Sequence, residues 1–189
     1  MPYWISDHVR RPELVDLGER TSRGATAGLV SGLVFLIATM GYVTTKGLPA
    51  VAPMIDISTI FHGQDEPVPS PDNVVVGLVT HLTLAAAFGI VFALLASVLP
   101  RRAGILLAAG VVYGLLLYVV NFQILGRTLF PWFTNPSGPD QGFEVFIHAV
   151  FGLLLVPFLI GAGAAATRTV AEHGRGTDRP EARERVTAP

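Results

Sequence analysis

Val145-Phe-Ile-His-Ala-Val-Phe-Gly-Leu-Leu-Leu-Val-Pro-Phe-Leu-Ile-Gly-Ala-Gly-Ala-Ala-Ala-Thr167 contains a single ionisable residue, His148, with Glu144 just outside its edge. A helix rises about 1.5 Å per residue and needs roughly 20 mostly apolar residues to cross about 30 Å of hydrocarbon. This run has that length. Gly24 to Thr45 and Ala103 to Gly126 match it without any charge, and Val74 to Leu99 matches it with only His81. All four runs are apolar on every side, which excludes one-sided helices lying on a membrane surface. The expected fold is all-α, a polytopic membrane protein built as a four-transmembrane-helix bundle. Spans are expected at about 24–45, 74–99, 103–126 and 145–167, between a cytoplasmic segment 1–23 and a disordered cytoplasmic tail 168–189.

Composition agrees with that class. Half of the chain is hydrophobic (51%) and only 14% is charged, where a soluble domain carries about a quarter. A net charge of -1 provides no basic field for nucleic acid. Cysteine is absent, which removes disulfides, thiolate metal sites and cysteine nucleophiles. Lys46 is the only lysine against many arginines, a bias that fits a GC-rich bacterial genome and hence a bacterial plasma membrane.

Basic residues set the expected orientation. Arg10, Arg11, Arg20 and Arg23 precede the first span, Arg101 and Arg102 lie between the second and third, and Arg168, Arg175, Arg179, Arg183 and Arg185 follow the fourth. The other side has only Lys46 and Arg127. Both termini are therefore expected in the cytoplasm. The first 23 residues are polar and do not read as a cleavable signal; a short interfacial helix from near Ser6, with Tyr3 and Trp4 at headgroup level, is expected there.

Two stretches repeat. Ala27-Gly-Leu-Val-Ser-Gly-Leu-Val-Phe-Leu36 and Ala109-Gly-Val-Val-Tyr-Gly-Leu-Leu-Leu-Tyr118 share AGxVxGLxxx, in a register that continues to Pro49 and Pro131. Each is followed by a loop and then a helix with a histidine, which predicts a duplicated helical hairpin. Gly24, Gly28 and Gly32 form a double GxxxG, Gly110 and Gly114 a single one, and Ala85, Gly89, Ala93 and Ser97 repeat the spacing on the second span. Lipid tails do not drive helices together, so close backbone approach at small residues does. These positions are the expected helix-packing faces, within the chain or toward a second subunit.

The polar residues inside the spans form one layer. His81 shares a ridge with Ala85 and sits about 12 Å below the loop-side boundary; His148 sits about 9 Å below it. Glu144 is four residues before His148 and on its face. Asn121 follows Gly114 by seven residues, Thr39 stands in the same relation to Gly32, and Thr80, Gln123 and Tyr42 complete the layer. In the loops, Asp56 and His62 lie in or beside the apolar stretch Met54 to Phe61, which reads as a lid over the bundle mouth, and Phe130 to Phe133 reads as an aromatic belt. Imidazoles at one level suit haem ligation, a divalent metal held with Glu144, an ion or proton path, or a quinone carbonyl. The structural alternative is two neutral histidines hydrogen-bonded within the bundle. No Walker loop, dinucleotide fingerprint, GxSxG elbow or zincin helix is present.

The motifs Gly47-Leu-Pro49, Met54-Ile-Asp56, Gly77-Leu-Val-Thr-His81, Gly110-Val-Val-Tyr-Gly114 and His148-Ala-Val-Phe-Gly152 together resemble those of small four-helix bacterial inner-membrane proteins of the YagU-like kind. The resemblance covers about residues 24 to 166 and implies an integral membrane location without an activity. The leading expectation is an accessory or interaction subunit, not an enzyme, associating with itself or a larger membrane complex through a GxxxG face. The alternative is a haem-, metal-, ion- or proton-binding protein built on His81 and His148.

Overall fold

The computed structural model describes residues 12–177, with side chains over 17–160. Helices α1 (Pro12–Thr45), α3 (Pro71–Ala96), α4 (Ala103–Tyr118) and α6 (Gln141–Thr177) carry the four expected spans, and α2 (Ala52–His62) is an additional helix between the first two. A π-helical segment, Val119–Leu125, and a last α-helical turn, α5 (Gly126–Thr128), prolong α4; a 3-10 turn, Pro131–Thr134, follows. Leu17–Thr45, Pro71–Ala96, Ala103–Thr128 and Gln141–Ile160 are each long and apolar enough to cross a membrane. The chain is a multi-pass membrane protein with an all-helical fold.

The second span begins and ends three residues earlier than expected, for a local reason. Ser70 caps α3 by accepting a hydrogen bond from the Asn73 amide at 3.1 Å, and Pro71 occupies the first turn, where its missing N–H costs nothing. The fourth helix runs on to Thr177, so the first part of the expected tail is helical. Residues 1–11 and 178–189, including the interfacial segment expected near Ser6, lie outside the described residues.

Two close-packed seams organise the bundle. On the first, a β-carbon at Gly24 would overlap the backbone of Gly89 and Ile90, and one at Gly28 would overlap the Ala85 carbonyl. On the second, a β-carbon at Gly110 would overlap Gly152 and Val156, and one at Gly114 would overlap the His148 carbonyl. The seams correspond: Gly28 meets Ala85, four residues after His81, and Gly110 meets Gly152, four residues after His148. The duplicated hairpin read from AGxVxG thus has a matching pair of helix contacts, α1 with α3 and α4 with α6. The glycines expected to pack, Gly24, Gly28, Gly32, Gly89, Gly110 and Gly114, all face the chain's own helices.

The two pairs join along α1 and α6, where Phe35 meets Phe151 edge-on at 6.3 Å, while Leu155 and Val156 of α6 are fully buried. α3 and α4 touch chiefly toward the end that carries the chain termini, through Phe92 against Tyr113 (5.1 Å between ring centres) and the buried Ala96 and Leu106. The Tyr113 hydroxyl donates to the Phe88 carbonyl at 2.8 Å. Toward the opposite end the helices leave a space, which α2 covers. α2 is seated on α3 at Gly77, where a β-carbon would overlap the Met54 carbonyl.

Adding atoms against backbone cannot be relieved by a side-chain rotation, so overpacking here costs at least the usual 1–3 kcal/mol or so. Gly28→Leu and Gly110→Leu are each expected to lower the midpoint of thermal unfolding in mild detergent by several degrees. Gly41→Ala, at an open position, should be neutral or raise stability by up to about 1 kcal/mol through helix propensity. A Gly41→Ala protein as damaged as Gly28→Leu contradicts the seam.

Candidate functional site

A cavity of about 730 Å³ occupies the half of the bundle away from the termini. Phe88, Leu117 and Phe151 line its deeper part; α2 contributes Asp56 and Ile57, and the loop after α4 contributes Trp132 and Phe133. His81, His148, Glu144, Asn121 and Asp56 all line it, so five of the polar residues singled out in the sequence share one space. His62 does not. It sits on the exposed end of α2, where Nε2 pairs with Asn73 Oδ1 at 3.0 Å.

Each histidine is held by a helix carbonyl. His81 Nε2 lies 2.8 Å from the Gly32 carbonyl across the first seam, and His148 Nδ1 lies 2.8 Å from the Glu144 carbonyl one turn earlier. A carbonyl oxygen only accepts, so these ring nitrogens carry protons. In the neutral ring His81 Nδ1 and His148 Nε2 are then lone pairs, and neither has a hydrogen-bond partner among the described residues. Gly32 matters twice at this point: its missing side chain admits Ala85, and a β-carbon there would stand 3.6 Å from His81 Nε2.

Glu144 is placed by the start of α6. Asp140 caps that helix, accepting from the Phe143 amide at 3.0 Å, while its backbone carbonyl accepts from the Glu144 amide at 2.9 Å. Glu144 is 6% exposed, and its carboxyl lies 3.5 Å from His148 Nδ1, whose proton already goes to the backbone. Its carboxyl group makes no hydrogen bond to a described residue. Asn121 belongs to the π-helical segment, in which the consecutive residues Val120, Asn121 and Phe122 all line the cavity. In a regular α-helix three successive residues spread over about 200° of the helix face; the wider π-turn brings them onto the cavity side. Such turns recur at functional sites.

Aromatic rings do most of the enclosing, in roles that residue type and spacing alone do not reveal. Phe35 touches both imidazoles, 5.6 Å from His81 and edge-on at 5.0 Å from His148. Phe122 meets His148 edge-on at 5.5 Å. At the rim, Tyr42 stacks on Phe143 at 3.9 Å, donates to Asp140 at 2.7 Å and lies under Lys46 Nζ at 5.1 Å. Trp132, read from the sequence as part of an aromatic belt, instead donates its indole N–H to Asp56 Oδ1 at 2.9 Å and clasps α2 to the loop. Thr39 lines the cavity but spends its hydroxyl on the Phe35 carbonyl. Gln123 turns away into a chain in which Arg127 donates to Gln123, Gln123 to Tyr118, and Tyr118 to Gln141. Thr80 is not among the lining residues.

This arrangement fits some of the expected chemistries poorly. Among the described residues no group of three or more His, Asp or Glu is placed to hold a metal ion. A macrocycle ligated by both histidines would have to displace Phe35, which packs against each of them. Hydrogen bonding to a small molecule needs no such rearrangement. No family model, curated protein or solved structure matches the chain.

Outside the spans, burial pushes the Asp56 carboxyl up to about 6, against the smaller opposing effect of the Trp132 hydrogen bond. Asp140 is held below the usual carboxylate range by the Phe143 amide and the Tyr42 hydroxyl. A carboxyl whose folded value is raised binds more protons folded than unfolded, so its contribution to stability declines as pH rises from about 4 through 6. In a Trp4→Phe background, Trp132 is the sole indole. Its emission is expected to titrate with a midpoint near pH 6, and Asp56→Asn to abolish the transition. A midpoint near 4 would mean that Asp56 is solvated and the clasp open.

Proposed function

We propose that this protein binds an amphiphilic small molecule in its membrane-embedded cavity, with the polar head among His81, His148, Glu144, Asn121 and Asp56. The observation that carries this reading is the Glu144 carboxyl, which lines the cavity, makes no hydrogen bond to a described residue, and has beside it at 3.5 Å a His148 Nδ1 whose proton goes to the backbone. Ser31 Oγ is the one fully buried side-chain polar atom without a partner among the described residues, so the Glu144 carboxyl and His148 Nε2 are not sealed in but open onto the cavity, where a polar head group can reach them. The cavity volume lies within the usual range for small-molecule sites, and its apolar walls suit an alkyl or ring system. Arginines flanking the first span and on the turn between α3 and α4 support a plasma-membrane orientation with the termini inside, which puts the cavity in the outer leaflet.

An accessory subunit associating through a glycine face is the competing reading. Its motivation was the GxxxG spacing, and those glycines pack within the chain. Intramolecular use of the seams favours the ligand reading. The cavity half, not the seam, is then the part of the molecule that does the work.

The test uses the full chain, as Trp4→Phe, in phosphatidylcholine nanodiscs. Single-chain amphiphiles differing only in head group are titrated against Trp132 emission. At least one should produce a saturable change at one molecule per chain, and Leu84→Phe, which narrows the cavity from α3 without adding an indole, should weaken or remove it. If no member of the series saturates, or if the narrowed cavity responds equally well, the proposal is wrong.

A further inference from the structure

Resting on the reading of the cavity as a ligand site, we infer that its ligand carries a cationic amine head on an apolar body. The argument is a census of what the cavity offers. Both imidazoles spend their single N–H on helix carbonyls and present lone pairs. Among the described residues, the Glu144 carboxyl accepts no hydrogen bond and the Trp132 indole is the one side-chain donor to Asp56. Asn121 supplies an amide with both capacities. Acceptors therefore outnumber donors, and a complementary head group is one that donates several hydrogen bonds.

Charge points the same way. Asp56, Asp140 and Glu144 line the cavity against one cationic side chain, Lys46. Lys46 lies at the rim over Tyr42, next to Asp140 and not among the deeper carboxyls. Among the described residues, no lysine or arginine pairs with Asp56 or Glu144, on α2 and α6. A carboxylate or sulfate head would be placed against both of them and would find no N–H from either histidine. An alcohol would satisfy one acceptor and leave the carboxyls unpaired. An ammonium can donate to a carboxyl and an imidazole together, and the rings of Phe35, Phe122 and Trp132 offer faces or edges at the walls. A bare metal ion is a poorer match, since no three ligands converge among the described residues and much of the volume is walled by Phe, Leu and Ile.

Dodecylamine, dodecanol and dodecanoate, compared in the Trp4→Phe nanodisc assay at matched mole fractions in the bilayer, test the inference. The amine is expected to bind at least tenfold more tightly than the alcohol, with the acid weakest. Glu144→Gln and Asp56→Asn should each bring the amine toward the alcohol, whereas Glu66→Gln, an exposed carboxylate in the linker after α2, should not. Should Glu144→Gln fail to fold, the wild-type ranking and Asp56→Asn decide. Alcohol or acid binding as tightly as amine would overturn the cationic head while leaving the cavity reading intact. Saturation by none of the three would remove both.

Discussion

Backbone-to-backbone approach at the glycine seams is the constraint on which the rest depends. In lipid there is no hydrophobic reward for joining two apolar helices, so contact depends on shape and dispersion. Gly24, Gly28 and Gly32 let α1 lie against Gly89 and Ala85; Gly110 and Gly114 let α4 lie against Gly152 and the backbone at His148. The same approach brings the Gly32 carbonyl within reach of His81, so packing and polar placement are one event. A bulkier seam would separate the helices and leave that imidazole without its acceptor.

The cavity follows from where the seams are absent. α3 and α4 are tied by a short turn at one end and by Tyr113 on Phe88, and beyond that point few contacts hold them together. The space that opens is bounded by helices satisfied in their own hydrogen bonding, so its chemistry is set by a few side chains. Two imidazoles, the carboxyls of Asp56 and Glu144 and one amide face it from four different helical segments, with Asp140 at the rim. The cover is polar where it closes: α2 meets the loop through Asp56 and Trp132 and meets α3 through the bare backbone of Gly77.

Much of the fold was legible because its determinants are local and periodic. Span length, the AGxVxG repeat and the small-residue spacing can be counted, and each has a counterpart in the helices. Glu144 and His148 fell together for the same reason, being one helical turn apart. What was not legible depends on tertiary placement. Asp56 and Trp132 are far apart in sequence and meet only because α2 folds back; a belt tryptophan and a hydrogen-bonded one look alike in a sequence. The π-turn that carries Asn121 has no composition of its own among Val, Phe, Ile and Leu. His62 shares an apolar stretch with Asp56, yet it lies at the exposed end of α2 and faces Asn73. The rings around His148 carry nothing in their residue types or spacing that marks this placement.

The Tyr113–Phe88 hydrogen bond also divides the α3–α4 pair mechanically. On one side of it the two helices are closed by the covalent turn at 97–102; on the other each is held by a different neighbour, α3 by α1 and α2, and α4 by α6. The α3 and α4 walls of the cavity thus belong to two separately packed helix pairs whose direct link lies at the far end of the bundle.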